Sequence, residues 1–360
     1  MAEKRLHNFN PGPAVLPEEV VSEARANLAN YRGTGIGVME MSHRSREFEG
    51  ILRGCESDLR ELLGIGDDYS VLFMSGGGST QFSMVPMNLL RGGTQANYIL
   101  SGVWAEAAAK EAGKFGEVHI AASSKDDEYR HIPRTHALSS KPAYLHFTSN
   151  NTVIGTQFDT EPDAGDTPLV CDASSDLLGR QIDISRYSLI YAGAQKNLGP
   201  AGTTLVIIRN SLLEAIPDGL PLMLDYRTFS KNASLYNTPP TFPIYIVGLV
   251  LQWIKRLGGV TAIERINRAK AKLVYDALDA APIYQPFVER SSRSLMNITF
   301  RLNPHSLEDR LITEAEARGL VGLRGHRLVG GVRASLYNAC PMESAQALAA
   351  FLSDFAAKNG

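Results

Sequence analysis

The chain has 360 residues, 44% hydrophobic and 21% charged; this is ordinary globular usage, and the length exceeds what one core normally holds, so two domains are expected. With 36 basic against 38 acidic residues, the formal net charge is −2, which excludes a generally basic surface and makes nucleic acid an unexpected partner. An anionic ligand must therefore meet a local cluster of cations.

The three cysteines, Cys55, Cys171 and Cys340, lie far apart and form no CxxC pair. Neither a metal site nor a disulfide framework is expected, and a reducing compartment is favoured. The charged N-terminus is followed by no apolar core, so it is a poor secretory signal. The most apolar stretch, 244–254, is shorter than the roughly 20 residues a bilayer requires. A cytoplasmic protein with no membrane partner is the expectation.

In chain order, the first residues are rich in Asn, Pro and Gly and predict an extended arm. Up to about residue 210, β-rich runs at 69–75, 96–100, 118–122, 143–147, 169–172, 189–192 and 204–208 alternate with helical patterns such as 80–90 and 101–112. Several runs are apolar on both faces, as in strands covered by helices on each side. This alternation predicts an α/β domain with a mainly parallel sheet, whose chemistry belongs at the C-terminal strand ends. A Pro-rich loop, Asn237-Thr-Pro-Pro-Thr-Phe-Pro243, then precedes an apolar helix. Gly258-Gly259 breaks the chain before a long amphipathic helix at 261–280. Beyond it lie a strand at 295–300, a helix opened by the capping-box pattern Ser306-Leu-Glu-Asp309, and a last helix at about 342–357.

Four motifs carry chemistry. Lys196, in Gly193-Ala-Gln-Lys196-Asn-Leu-Gly-Pro-Ala-Gly202, follows a strand amid small residues that admit a bulky group. A lysine amine held there and able to lose its proton forms a Schiff base with a carbonyl cofactor; the ordinary alternative is a solvated surface lysine. Asp172 ends an apolar strand in Asp172-Ala-Ser-Ser-Asp176. A carboxylate there can keep a pyridine nitrogen charged, although Asp also caps plain turns. The run Gly76-Gly-Gly78-Ser79-Thr-Gln81 joins a strand to a helix, a setting that favours phosphate. It lacks the third glycine of a dinucleotide fingerprint, and no Walker loop is present, so a monophosphate fits better than a nucleotide.

The fourth set is cationic. His43-Arg44 lies early, and His326-Arg327 and Arg333 lie late; arginine's planar fork suits a phosphate or a carboxylate. Unrelated surface pairs are the plain alternative. Trp104, after another strand, is placed to stack on an aromatic cofactor or to fill core.

Taken in order, Asn8-Phe-Asn-Pro-Gly-Pro-Ala14, Met39-Glu-Met-Ser-His-Arg-Ser45, Gly76-Gly-Gly78, Tyr144 to Thr152, Asp172 to Asp176, Gly193 to Pro200 and Gly325 to Asn338 resemble the phosphoserine aminotransferase family. The resemblance runs over nearly the whole chain. It implies a fold-type I pyridoxal-phosphate (PLP) transferase, with a mainly parallel seven-stranded sheet in a large domain (16–258), a smaller α+β domain (259–360), and an arm (1–15) that joins the small domain. By resemblance, Lys196 holds the cofactor covalently, Asp172 pairs with its ring nitrogen, and Trp104 stacks on the ring. Gly78, Ser79 and Gln195 bind its phosphate, Thr152 touches the ring hydroxyl region, and Asn237 and Thr238 serve the phosphate of the other subunit in a homodimer. His43, Arg44, His326, Arg327 and Arg333 hold the substrate phosphate and carboxylates. Many family members carry an arginine directly after the glycine run; here it is Ser79, which leaves the substrate phosphate more dependent on the two His-Arg pairs.

The implied reaction moves an amino group from glutamate to 3-phosphohydroxypyruvate, reversibly and by ping-pong kinetics, in serine biosynthesis, with 4-phosphohydroxythreonine of pyridoxine biosynthesis as a second candidate substrate. Three rivals stand beside it. A cysteine desulfurase or lyase on the same fold would need Cys340 as a reactive thiol. An aminotransferase for unphosphorylated keto acids would leave the His-Arg cations unpaired. A non-catalytic binding protein would leave Lys196, Asp172 and Trp104 without a reason.

Overall fold

Strands form at each predicted apolar run. β1 (His7–Asn8), β2 (Tyr69–Met74), β3 (Gln95–Leu100), β4 (Glu117–Ser123), β5 (Pro142–Thr148), β6 (Leu169–Asp172), β7 (Leu189–Gly193) and β8 (Thr204–Arg209) precede residue 210, and β9 (Tyr284–Pro286), β10 (Asn297–Leu302), β11 (Leu320–Val321) and β12 (Val332–Ser335) follow it; β1, β9, β11 and β12 form where no run was predicted. These come from a computed structural model that describes residues 5–327 and 329–360. The first four residues of the expected arm, and Leu328 beside the late His-Arg pair, lie outside the described residues.

Seven strands make one sheet in the order β2-β8-β7-β6-β5-β3-β4. β8 runs antiparallel to both of its neighbours, and every other pairing is parallel. Because side chains alternate across a strand, the sheet feeds two cores. On one face Phe73, Leu145, Cys171 and Ile207 pack with the helices Arg46–Leu63 and Thr241–Arg256. On the other, Leu72, Tyr98, Tyr191 and Val206 pack with Gly77–Leu89 and Val103–Ala112. The result is the expected three-layer α/β arrangement with a mostly parallel sheet.

The helix Arg46–Leu63 shows why this stretch coils. Ser45 caps it by accepting from the Phe48 amide at 3.2 Å, and Phe48, Leu52, Cys55, Leu59 and Leu63 make one buried stripe. The helix Thr241–Arg256 is buried along nearly all its length, which is why its sequence is apolar all round. Among the described residues, no single helix is long and apolar enough to cross a membrane.

A third core gathers the helices Gly259–Asp279, Glu308–Ala317 and Met342–Asn359 against a three-stranded antiparallel sheet, β12-β10-β9. The arm joins it: β1 pairs in parallel with β11, and Phe9 is fully buried there. The capping-box expectation at Ser306 fails. Residues His305–Leu307 form a 3₁₀ turn, and the helix starts at Glu308 with no side-chain cap. Glu308 turns away from the helix end and accepts from Arg301 Nε at 2.7 Å and from the Leu302 amide at 3.3 Å, so it fastens the helix to β10 instead.

Candidate active site

β2, β3, β5, β6 and β7 all point the same way, so their C-terminal ends share one edge of the sheet. A cleft of about 280 Å³ opens there, near the lower end of the roughly 300–1,000 Å³ typical of ligand sites. Gly78 and Ser79 reach it after β2, Trp104 after β3, Thr152 after β5, Asp172 at the end of β6, and Gln195 and Lys196 after β7. Arg333, on β12 of the small sheet, and His326, in the loop before it, line the cleft as well.

Lys196 is half-buried as a residue, but its amine is enclosed by the cleft floor. It donates to Thr152 Oγ1 at 2.7 Å. Burial pulls its pKa down to about 8; Asp172 opposes this and the Arg333 charge adds to it. Desolvation thus keeps the amine poised to lose its proton near neutrality. Thr152 serves both cations, since its carbonyl also accepts from Arg333 Nη1 at 3.2 Å. Arg333 is itself buried, and its Nε meets no acceptor among the described residues. A buried guanidinium with unused donors is built to receive an anion.

Asp172 stands beside Lys196 because β6 and β7 are adjacent strands, with Asp172 in register with Tyr191. Its Oδ1 accepts from the Ser174 amide at 3.0 Å. Burial lifts the carboxyl above its ordinary range, and Ser174, the Lys196 charge and the Tyr191 hydroxyl oppose that rise. Deeper, Asp176 is fastened by the Ser149 hydroxyl and by Gln157 Nε2 at 3.0 Å.

The glycine run does more than join strand to helix. Gly77 and Gly78 form the first turn of the helix Gly77–Leu89, capped by Gly76 in the left-handed region at φ 97°, so the helix starts earlier than its apolar pattern showed. Its first amides have no intrahelical partner and face the cleft end. A Cβ on Gly78 would lie 3.1 Å from Ser174 Oγ, so any larger residue crowds this corner. Gly102 plays the same part for Trp104: a Cβ there would come within 2.2 Å of Asn151 Oδ1. Only glycine lets the helix Val103–Ala112 start close enough to bring the partly exposed Trp104 over the cleft.

Not every expected residue converges. His43, Arg44 and Arg327 do not line this cleft, and both arginines are exposed. His43 is half-buried, with Nε2 lacking a partner among the described residues. Asn237 and Thr238 are exposed on the Pro-rich loop; Asn237 lines a separate hollow behind the glycine run with Gly76 and Pro240. Sequence reasoning missed Ser174, Thr148, Asn150 and the arm residues Pro11 and Gly12, all at the cleft. The small hydroxyls directly after Asp172 were the available signal for Ser174. The arm is held against the lysine loop by the Ala14 amide donating to the Gln195 carbonyl at 2.9 Å.

The family model for aminotransferase class-V matches residues 6–348. The chain is 52% identical over 357 residues to a phosphoserine aminotransferase of Geobacillus kaustophilus, covering 98% of each. It is 50% identical to one of Desulfosudis oleivorans, covering 99% of each. The structure of phosphoserine aminotransferase from Bacillus circulans subsp. alkalophilus superposes with a TM-score of 0.97 at 49% identity, covering 99% of both chains. The PLP-bound enzyme from Trichomonas vaginalis gives 0.92 at 35% identity, covering 97% of this chain and 99% of that one.

Proposed function

This chain belongs to the class-V aminotransferase family, and we propose that it catalyses the phosphoserine aminotransferase reaction: reversible transfer of the amino group of glutamate to 3-phosphohydroxypyruvate, giving O-phosphoserine and 2-oxoglutarate. One observation carries the reading. A lysine amine with its pKa pulled down to about 8, a buried carboxylate and a buried arginine with unused donors share one cleft with a glycine-started helix.

The residues present fit pyridoxal phosphate. Thr148 Oγ1 and Arg333 Nε are buried at the cleft without partners among the described residues, and a Cβ on Gly78 would press on Ser174 Oγ at 3.1 Å. Lys196 would hold the cofactor covalently, Asp172 its ring nitrogen, Trp104 its ring face and Thr152 the ring hydroxyl region. Gly78, Ser79 and Gln195 would hold its phosphate. When bound, the cofactor supplies an electron sink for the charge left at the substrate Cα.

The chain's own contribution is proton handling and charge matching. Lys196 Nζ takes the proton from the donor's Cα and returns it on the other side of the exchange, base first and acid second. Its low pKa lets the amine do both near neutral pH. Asp172, ionised, holds the proton on the ring nitrogen. Arg333 and His326 face the substrate's carboxylate and phosphate. His43, Arg44 and Arg327 keep the same assignment on the resemblance alone.

Three further readings belong with this one. Asn237 and Thr238, exposed and outside their own cleft, would complete the cofactor-phosphate site of a second copy in a homodimer. The division near residue 258, with the arm joined to the C-terminal unit, is supported by the separate third core that contains Phe9. A cytoplasmic location is supported by three free cysteines. Cys340 is buried and its thiol is pushed up to about 11, which disfavours a desulfurase nucleophile.

An absorbance spectrum tests the whole. A visible band of the lysine-bound cofactor should bleach with glutamate and with phosphoserine, and return with 2-oxoglutarate. Bleaching by glutamate alone would discard the substrate; no band after added pyridoxal phosphate would discard the reading.

A further inference from the structure

We infer that His146 and Tyr191 are positioning residues for Asp172: the imidazole donates its Nε2–H to the Tyr191 hydroxyl, and that hydroxyl donates to the Asp172 carboxylate. The inference rests on the cofactor reading above and adds two residues to it.

The sheet register brings the three groups together. Asp172 is the direct register partner of Tyr191 on β7 and of Thr148 on β5, and His146, two residues before Thr148, shares its face. His146 Nε2 lies 2.9 Å from the Tyr191 hydroxyl. The imidazole is held between two tyrosine rings, with centroids 4.7 Å from Tyr98 and 5.9 Å from Tyr191. The Tyr191 ring passes beneath Gly78, where a Cβ would lie 3.8 Å from its Cε2. The same ring therefore underlies the helix start, and to meet His146 on β5 its hydroxyl crosses beneath β6, the strand that carries Asp172.

Direction follows from the orphan atom. His146 is fully buried and burial depresses its pKa to about 3, so it is neutral, with one donor and one acceptor nitrogen. Among the described residues, no group meets its Nδ1. A proton there would be a buried N–H without a partner, whereas a bare lone pair costs less. The proton therefore sits on Nε2 and goes to the Tyr191 oxygen. That leaves the phenol proton for Asp172, whose ionised form the Tyr191 hydroxyl favours. A neutral histidine at the end of this chain orders the donors without adding a cation to compete for the carboxylate's charge.

The test uses the full-length protein loaded with pyridoxal phosphate labelled with ¹⁵N in the ring. In the wild type the ring nitrogen should show a protonated shift. Tyr191→Phe should move it toward the unprotonated value and weaken cofactor binding to the apoprotein about 10–100-fold, the size of one lost hydrogen bond to a charged group. His146→Leu should change both in the same direction but less. His146→Gln, whose amide nitrogen can donate in place of Nε2, should lie closer to the wild type. A ring-nitrogen shift unchanged in Tyr191→Phe and His146→Leu would overturn the inference, even if thermal stability fell, because a purely structural role would do that much. If Tyr191→Phe does not fold, ¹⁵N-histidine spectra of the wild-type apoprotein decide: an Nε2–H tautomer at His146 supports the chain and an Nδ1–H tautomer overturns it. Wild-type protein that takes up no cofactor would instead refute the proposed function.

Discussion

Two enclosed amines in this molecule invite comparison. Lys196 lies at the cleft and Lys270 lies at the junction of the third core with the rest of the chain. Burial draws both pKa values down to about 8, yet their surroundings differ. Lys196 has one hydroxyl acceptor and an open cleft beside it. Lys270, fully buried, donates to the carbonyls of Leu336 at 3.0 Å, Tyr337 at 2.7 Å and Cys340 at 3.0 Å, with Asn338 at 3.4 Å. Those oxygens complete an ammonium and favour its charge, so this lysine is a strut. A depressed pKa does not by itself mark a reactive lysine; unused bonding capacity facing a cavity does.

The comparison breaks most visibly on activity. Lys196→Ala should remove at least the 10²–10⁴-fold that a positioned acid–base group contributes, leaving the melting temperature close to wild type. Steady-state turnover and calorimetry read the two effects, and retained turnover would refute the assignment. Lys270→Met should do the reverse. It strands several buried carbonyls, at about 1–3 kcal/mol each, so the denaturant midpoint should fall by an amount worth about 3 kcal/mol or more while turnover per folded molecule holds. Wild-type stability in that variant would dissolve the distinction between the two sites.

A pH series sharpens it. Only a neutral amine attacks a carbonyl, so covalent capture of the cofactor by Lys196 in the apoprotein should quicken with pH up to about 8 and then level off. The linkage has a matching sign. Between about 8 and the ordinary value of 10.5, the unfolded chain keeps a proton on this lysine that the folded chain has lost. Apoprotein stability from this group therefore rises with pH through that window, and Lys196→Ala should remove the rise. A pH-independent capture rate, measured by stopped-flow absorbance, would contradict the assignment. The smallest effect belongs to Thr152→Val. It removes the one acceptor of the Lys196 ammonium, worth about 0.5–1.5 kcal/mol, so the capture profile should move to lower pH by up to about one unit.

Much of this was legible in the sequence because a strand buried on both faces reads as an unbroken apolar run. β6 matches its predicted bounds, and the other six strands of the large sheet differ only at their ends. Lys196, Asp172 and Trp104 could be placed because chemistry in such sheets collects at strand ends. What stayed hidden depends on distant partners. β1 and β11 have two residues each and exist only because they meet. Glu308 reads as a cap until Arg301 on β10 claims it. His146 reads as an oddity inside an apolar run until Tyr191, two strands away, supplies its partner. The His-Arg pairs were equivalent as letters, but only His326 reaches the cleft.

The arm carries a consequence for biogenesis. Pro11 and Gly12 form part of the cleft wall, and the Tyr337 hydroxyl grips the Pro11 carbonyl at 2.7 Å. The arm leaves the ribosome well before its strand partner, Leu320–Val321, which emerges roughly 300 residues later. At 5–20 residues per second that is a wait of about 15–60 s. During translation the seven-stranded sheet can assemble once residue 209 has emerged, while one side of the pocket stays open. A nascent chain stalled before residue 320 should therefore hold a folded sheet and an unsealed site, so that competence for the cofactor arrives only once Leu320–Val321 has emerged.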